Sequence, residues 1–530
     1  MNVLIVGAGA AAAGAALALS KNSDVKITVL DIGGQLEDEN DLARQRMSTT
    51  DSSNWLETDL SMISQTAVPT KEHRLPEKRI FGSDFPFRDF GQLIGIRGER
   101  GVNAHVVSGA FGGFTNTWGA QTMVFSEATF DDWPFPRQEI EQDYRAILNS
   151  IPYSAEVDDL AEYFPLWGTA DNLPPLGESA DRVLRAYERH RIDVRRHGVL
   201  VGKARLAMRA SKCVLCGLCM TGCPYGLVYS ASQTFDELIT QGHVNYVGGH
   251  LALQVGEEKD RPFVKARSLR SGEVTTFTAD KVLLACGSIG TTRLVAHSLG
   301  QWSTRIHMLE SAQFLMPMVS LKGISRLSQA GTFTLNQFNL VLPFDEAGHD
   351  IVQIHGYPYN DAMDDALPGF LQSKPMRGVR SQALKHLTVG LGYMPSWWSP
   401  GFDVELERPH DDDQLPELTL TPSIDSSTET KSILREITKR LLKSSTSLGI
   451  APVVSQVVLS SPGKSYHFGG SFPHATNSVS DRQSDVLGRV GVWSNIHLVD
   501  ASVFPNVPAT TFTLTIMANA HRIARTIVDA

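Results

Sequence analysis

Val3-Leu4-Ile5-Val6-Gly7-Ala8-Gly9-Ala10-Ala11-Ala12-Ala13-Gly14 is the stretch that decides the fold. Its four opening residues have no polar face, as expected of a parallel strand covered on both sides. Gly7 permits a tight turn, Gly9 lets the backbone approach a pyrophosphate, and Ala12 takes the third, small-residue position where helix and strand pack closely. An alanine- and leucine-rich helix carrying Gly14 runs on to about Ser20, its N–H groups and positive dipole end offered to phosphates. The strand Lys26-Ile27-Thr28-Val29-Leu30 follows and ends in Asp31, 22 residues after Gly9, where a carboxylate accepts hydrogen bonds from ribose hydroxyls. A glycine-rich turn alone also fits a strand-to-helix turn without a ligand. Strand, turn, helix, strand and acid in order read as a nucleotide site, and the terminal acid favours FAD or NAD over a 2′-phosphate.

Around this stretch lies a chain of 530 residues, 42% hydrophobic and 20% charged, large enough to bury an extensive core. The net charge of −9 is unlike the basic footprint of a nucleic-acid binder, so that class is set aside. The apolar run from Val3 to Leu19 invites a signal-peptide reading, against which no Lys or Arg precedes Lys21 and Gly7, Gly9 and Gly14 interrupt it. It is also short for a membrane span. A cytoplasmic protein is expected, with export alongside a signal-bearing partner as the other route.

The far end distinguishes the two cofactors. The strand Ile496-His497-Leu498-Val499 runs into Asp500-Ala501-Ser502-Val503-Phe504-Pro505, and after Thr510-Thr511 an apolar helix extends from about Phe512 to Val528. Here the chain resembles the glucose–methanol–choline (GMC) oxidoreductases, flavoproteins that oxidise alcohols and sugars. The resemblance is carried by Gly7-Ala8-Gly9, by Leu498 to Pro505, and by Ala518-Asn519-Ala520-His521-Arg522-Ile523-Ala524. Two internal segments also match: Gly112-Gly113-Phe114-Thr115-Asn116-Thr117-Trp118-Gly119, followed by Phe130-Asp131-Asp132-Trp133-Pro134, and Val282-Leu283-Leu284-Ala285-Cys286-Gly287-Ser288-Ile289-Gly290-Thr291.

The resemblance implies an α/β fold with a Rossmann-type FAD-binding domain assembled from discontinuous segments, 1–150, 200–305 and 455–530. It also implies a substrate-binding domain, 151–199 and 306–454, built around a largely antiparallel sheet. FAD contacts are expected from Gly7, Gly9, Ala12, Gly14, Asp31, Gly112, Gly113, Asn116, Thr117, Trp118, Leu251, Cys286, Gly287, Asp500, Ala501, Thr510 and Thr511. One branch of the family links its flavin to a histidine just before the tryptophan. Thr117 stands there, so the resemblance implies noncovalent FAD.

Alcohol oxidation by a flavin needs a base to accept the hydroxyl proton while hydride leaves the same carbon, and histidine suits that task. His467, in Ser465-Tyr466-His467-Phe468-Gly469-Gly470, lies 33 residues before Asp500, as the family's base does. His474 is near in sequence but follows a proline, where the family pattern has no catalytic group. The family's second His or Asn falls on Thr511, whose hydroxyl can position a substrate or simply sit near a helix start, and cannot act as a base near neutral pH.

Lys212-Cys213-Val214-Leu215-Cys216-Gly217-Leu218-Cys219-Met220-Thr221-Gly222-Cys223-Pro224 has the C-x2-C-x2-C-x3-C-P spacing of bacterial ferredoxins. Within the loop 211–226 these four cysteines are expected to bind an iron–sulfur cluster, [4Fe-4S] if Cys223 folds back and [3Fe-4S] if it stays free. Structural zinc is one rival, although zinc usually takes two separated pairs. Disulfides or plain buried thiols are the other. Cys286, in an apolar run, reads as a small buried residue.

In the middle, Phe338-Asn339-Leu340-Val341-Leu342 and Leu418-Thr419-Leu420-Thr421 read as strands of an antiparallel sheet, and Thr428 to Leu448 as an amphipathic helix. Tyr357, Tyr359, Tyr393, Trp397 and Trp398 offer rings that could stack on a sugar, with ordinary core the commoner use of such residues. The expectation is an FAD-dependent dehydrogenase of a sugar, polyol or related small-molecule alcohol. Its electrons would leave through the cluster to an external one-electron acceptor or electron-transfer protein. The rivals are an oxygen-using oxidase with a structural cysteine loop and a non-redox lyase or isomerase that keeps FAD.

Overall fold

The computed structural model describes residues 1–65, 78–89, 95–321, 331–358, 384, 386–410, 414–423, 427–476, 480–491 and 493–529. Tyr359 lies outside them. The fold is α/β: a parallel sheet of the dinucleotide-binding type joined to antiparallel sheets, the class expected from the sequence.

The opening strand, Asn2–Val6, is central in a five-stranded parallel sheet. It pairs with Lys26–Leu30 on one side and Lys281–Leu284 on the other, with Val6 opposite both Leu30 and Leu284. Val244–Val247 and Ile496–Leu498 complete the edges. Two covered faces explain the unbroken apolar run, since Val3 to Val6 are all buried. The Ala10–Leu19 helix then packs on the last helix, Thr513–Asp529. Gly14 makes that crossing possible: a Cβ there would overlap the Met517 carbonyl.

A three-stranded antiparallel sheet runs Val274–Thr278, Arg261–Ser268 and His250–Glu258. A seven-stranded antiparallel sheet orders Ile450–Pro452, Gln313–Ser320, Leu387–Tyr393, Ile351–Pro358, Phe338–Pro343 and Leu200–Lys203, with Val458–Leu459 also pairing to Gln313–Ser320. One face of this sheet carries Phe314, Met316 and Met318 into a core shared with Ile437 and Leu441 of the Ser427–Leu448 helix. A further five-stranded sheet orders Phe468–Gly469, Ile306–Glu310, Phe402–Leu406, Leu418–Pro422 and Ile96–Gly98.

Sheet pairing crosses the segment boundaries set from the sequence. Leu200–Lys203 belongs to the seven-stranded sheet rather than the parallel one, and Ile96–Gly98 pairs with Leu418–Pro422. The cause is backbone satisfaction: a strand of four residues finds its hydrogen bonds wherever an edge is free, whatever its place in the chain. Among the described residues, no helix is long and apolar enough to cross a membrane.

Candidate functional site

A cavity of about 1070 Å3 lies where the parallel sheet, the Phe468–Gly469 edge and one face of the seven-stranded sheet meet. Its nucleotide end begins at the glycine turn. Gly7 has φ +102, a left-handed conformation, and a Cβ on it would come 2.5 Å from the Ala285 carbonyl oxygen. Gly9, capping the helix, has no protein atom within 4 Å of the place its Cβ would take. That open cradle at a helix N-terminus suits a pyrophosphate.

Asp31 lines the same end, buried, and accepts a hydrogen bond from the Tyr246 hydroxyl at 3.0 Å. Burial pushes its carboxyl up to about 7, opposed by Tyr246 and by backbone N–H groups. Asp500 is also buried on the wall, accepting from Thr291 Oγ1 at 2.5 Å and from the Ser502 N–H at 3.0 Å, with burial raising its carboxyl. The residue set fits a dinucleotide such as FAD: a glycine cradle, an acid at the second strand end, and a long enclosed wall.

Of the expected cofactor contacts, Gly7, Gly9, Asp31, Gly113, Thr117, Trp118, Leu251, Cys286, Gly287, Asp500 and Ala501 line the cavity. Ala12, Gly14, Gly112, Asn116, Thr510 and Thr511 do not. Asn116 Nδ2 donates to the Phe111 and Gly113 carbonyls at 2.9 and 2.8 Å, bracing the loop. Thr511 Oγ1 donates to the Gln121 carbonyl at 3.1 Å, and the cavity wall is taken up by its neighbour Phe512.

His467 stands on the wall between the cofactor loops and the antiparallel sheet. Tyr393 stacks on its ring at 4.6 Å, and Phe512 packs at 4.9 Å. Its Nδ1 is buried without a hydrogen-bond partner among the described residues. Burial pulls the imidazole down to about 4, so it is neutral at physiological pH. His355, beside Tyr393 at 5.1 Å, is driven further down, to about 3, by burial and then by His467.

A carboxylate that sequence reasoning missed sets the position of this histidine. Glu310 is fully enclosed and accepts from the Gly463 N–H at 2.9 Å and from Ser465 Oγ at 2.6 Å. Ser465 Oγ in turn accepts the His467 N–H at 3.0 Å, and the Ser311 N–H holds the His467 carbonyl at 2.9 Å. Burial raises the Glu310 carboxyl to about 7, opposed by these hydrogen bonds. Glu310→Gln places an NH2 where an acceptor is needed, and a loss of about 1–3 kcal/mol in urea unfolding is the expected result. Its partners lie some 150 residues on, so the sequence gives no local signal for it.

Lys78 was missed too. It is buried on the cavity wall, its Nζ donating to the Thr117 and Trp118 carbonyls at 2.8 and 3.3 Å. Burial lowers the ammonium to about 8, partly offset by the nearby Cys219.

The cysteine loop comes near Lys78 through Cys219, with Met220 and Thr221 on the cavity wall. Cys213, Cys216, Cys219 and Cys223 are free and partly buried. Burial raises the thiols of Cys213 and Cys216, and pushes Cys223 up to about 12. Among the described residues, no group of three or more His, Cys, Asp or Glu is arranged to hold a metal ion. The iron–sulfur geometry expected from the spacing is therefore not the geometry observed. The loop is pinned to its surroundings instead: the Gly331 N–H bonds Leu215 O, Thr334 Oγ1 bonds Gly217 O at 3.0 Å, and the Phe81 N–H bonds Thr221 O.

Of the aromatic candidates, Tyr357 and Tyr393 line the cavity. Trp397 stacks on His349 at 4.2 Å and Trp398 packs on Phe344 at 5.0 Å, both away from it.

Glycine turn, acid-ended strand and a cavity shared with an antiparallel sheet define an α/β fold of the dinucleotide-binding type, with an antiparallel sheet across the cavity. No protein-family model and no curated protein matches the chain. Among solved structures it is similar to pyridoxine 4-oxidase from Mesorbium loti, with a TM-score of 0.60 and 13% identity over 100% of this chain and 99% of that one. At that identity the likeness is one of fold.

Proposed function

We propose that the chain is an FAD-dependent oxidoreductase of the GMC type that oxidises a CH–OH group of a small-molecule alcohol. The observation that carries this reading is a neutral imidazole, His467, whose Nδ1 has no partner among the described residues, on the wall of a cavity whose other end is a glycine cradle suited to a dinucleotide. A fold shared with a pyridoxine 4-oxidase supports it. The discontinuous FAD-binding and substrate-binding segments belong to the same proposal, with the strand exchanges described above.

In this reading Gly7, Gly9 and Asp31 hold the dinucleotide, and the Gly113, Thr117 and Trp118 loop holds the flavin. FAD, when bound, supplies the acceptor for the hydride and its two electrons as the alcohol becomes a carbonyl. His467 takes the hydroxyl proton on Nε2, Nδ1 being sealed from the cavity, and Tyr393 and Phe512 fix the ring plane. The test is a visible spectrum of purified protein, followed by anaerobic mixing with an alcohol panel. A bound flavin that bleaches supports oxidation; turnover without bleaching points to a lyase or isomerase.

The pH profile follows from the burial of His467. A histidine at its ordinary value of about 6.5 loses its function as a base as pH falls through that value. With its folded value near 4, His467 stays neutral well below that. The rate of flavin bleaching at limiting alcohol is expected to hold level down to about pH 5 and to fall only towards pH 4.

A second reading concerns the acceptor. A dehydrogenase whose electrons leave by the cysteine loop is favoured by the position of that loop, with Met220 and Thr221 on the cavity wall and Cys219 near Lys78. An oxygen-using oxidase with a structural loop is favoured by the lack, among the described residues, of a group arranged to hold a metal ion. Iron and acid-labile sulfide in anaerobically purified protein, without peroxide formation, select the first; peroxide without iron selects the second.

A further inference from the structure

We infer that the alcohol is carried on an extended aliphatic chain rather than on a sugar or polyol, an inference that rests on the function proposed above. The substrate side of the cavity is one face of the seven-stranded sheet. Side chains two apart on a strand share a face, and the register places Leu315 opposite Leu391, Pro317 opposite Val389, and Val319 opposite Leu387. All six line the cavity. The opposite face of the same strand, Phe314, Met316 and Met318, is already packed in core, so this face is not required to complete the sheet's own packing.

One polar pair at the reactive end is already engaged. Gln313, opposite Tyr393 in the register, donates from Nε2 to the Tyr393 hydroxyl at 3.1 Å and accepts from Ser460 Oγ at 3.2 Å. Beyond this pair the two strands present three facing aliphatic pairs, about 13 Å of wall at the rise of a β-strand, with Tyr357 opposite Val389 on the next strand. A sugar laid there would surrender its hydration to methyl and methylene groups, and each hydroxyl left without a partner is costly. An alkyl chain gains from the same wall. The hydroxyl-bearing carbon then sits at His467, beside Tyr393, and the chain runs along the strands towards Val319 and Leu387.

The test uses flavin-loaded protein mixed anaerobically with 1-butanol, 1-hexanol, 1-octanol, 1-decanol, D-glucose and sorbitol, with flavin bleaching followed by stopped flow. The expected result is a kcat/KM that rises about fourfold per methylene until the wall is covered, with both polyols at least roughly 10²-fold below 1-decanol. In Leu315→Asn and Val389→Asn the ratio of 1-decanol to 1-butanol is expected to fall about tenfold or more, a ratio taken within one preparation and so independent of how much protein folds. Calorimetric binding of the same alcohols to His467→Ala gives the chain-length dependence without turnover. A polyol used as well as 1-decanol, or no dependence on chain length, overturns the inference and leaves the proposed function standing. Absence of bleaching with every alcohol overturns both.

Discussion

Exchange of His467 for alanine is expected to leave the protein folded and flavin-loaded while alcohol turnover falls by at least about 10²-fold. The two halves of that expectation come from different parts of the geometry. Folding is spared because no side-chain hydrogen bond of His467 is found among the described residues: Nδ1 has no partner, and the bonds that hold the turn are made by its backbone. The cost is the packing of one ring between Tyr393 and Phe512. Turnover suffers because, among the described residues beside the reactive end, no other group is suited to take the proton. Tyr393 and Tyr357 are both held protonated by burial, and His355, with its lower value, is the weaker base. His474 supplies the control. Its neutral ring donates from Nδ1 to the Asp485 carbonyl at 2.6 Å and accepts from Asn519 at 3.2 Å, so His474→Ala should lower stability and spare the chemistry. Near-normal turnover in His467→Ala would falsify the base assignment. The measurement is flavin content by absorbance together with single-turnover bleaching of each variant.

The parts of this molecule that were legible in the sequence are those decided locally. Val3 to Val6 could only be a strand covered on both faces, and Lys26 to Leu30 ended where its pattern did. The last helix began at Thr513, one residue past the expected start. Groups whose meaning depends on distant partners were not legible. Glu310 matters because Gly463 and Ser465 return to it, and Lys78 because the Thr117–Trp118 carbonyls do. The aliphatic wall is a property of register between Gln313–Ser320 and Leu387–Tyr393, which no single strand displays. A count of residues does not contain side-chain direction: the offset from Asp500 put Thr511 at the substrate, and in the fold its hydroxyl bonds the Gln121 carbonyl while Phe512 faces His467. The cysteine spacing likewise says nothing of what the loop is bonded to, and here it is held to residues 331–334.

Gly9→Val is expected to give a folded, colourless protein, with affinity for FAD weakened by at least roughly 10²-fold. Glycine at this position is not demanded by the chain. Its backbone has φ −88 and ψ −164, an extended conformation open to any residue. No protein atom lies within 4 Å of a Cβ there, so the added side chain displaces nothing in the empty cavity. The two neighbouring glycines of the motif differ on both counts. Gly7 needs its φ of +102, and Gly14 needs contact with Met517, so substitution at either strains the fold itself. A valine at position 9 therefore separates the demand of a ligand from the demand of the fold. Its methyl groups enter the space in which backbone N–H groups at the helix start would meet the pyrophosphate, removing the close approach on which that site depends. The measurement is flavin absorbance per chain after purification and after reconstitution with excess FAD, set beside circular dichroism and a thermal melt of the apoprotein. A variant that is as yellow as the parent would show that the cradle at Gly9 is not where the dinucleotide binds, and the proposed function would lose its cofactor site. A variant that fails to melt cooperatively would show that Gly9 serves the fold after all, and Gly9→Ala, with a single methyl group in the same open space, would then carry the comparison.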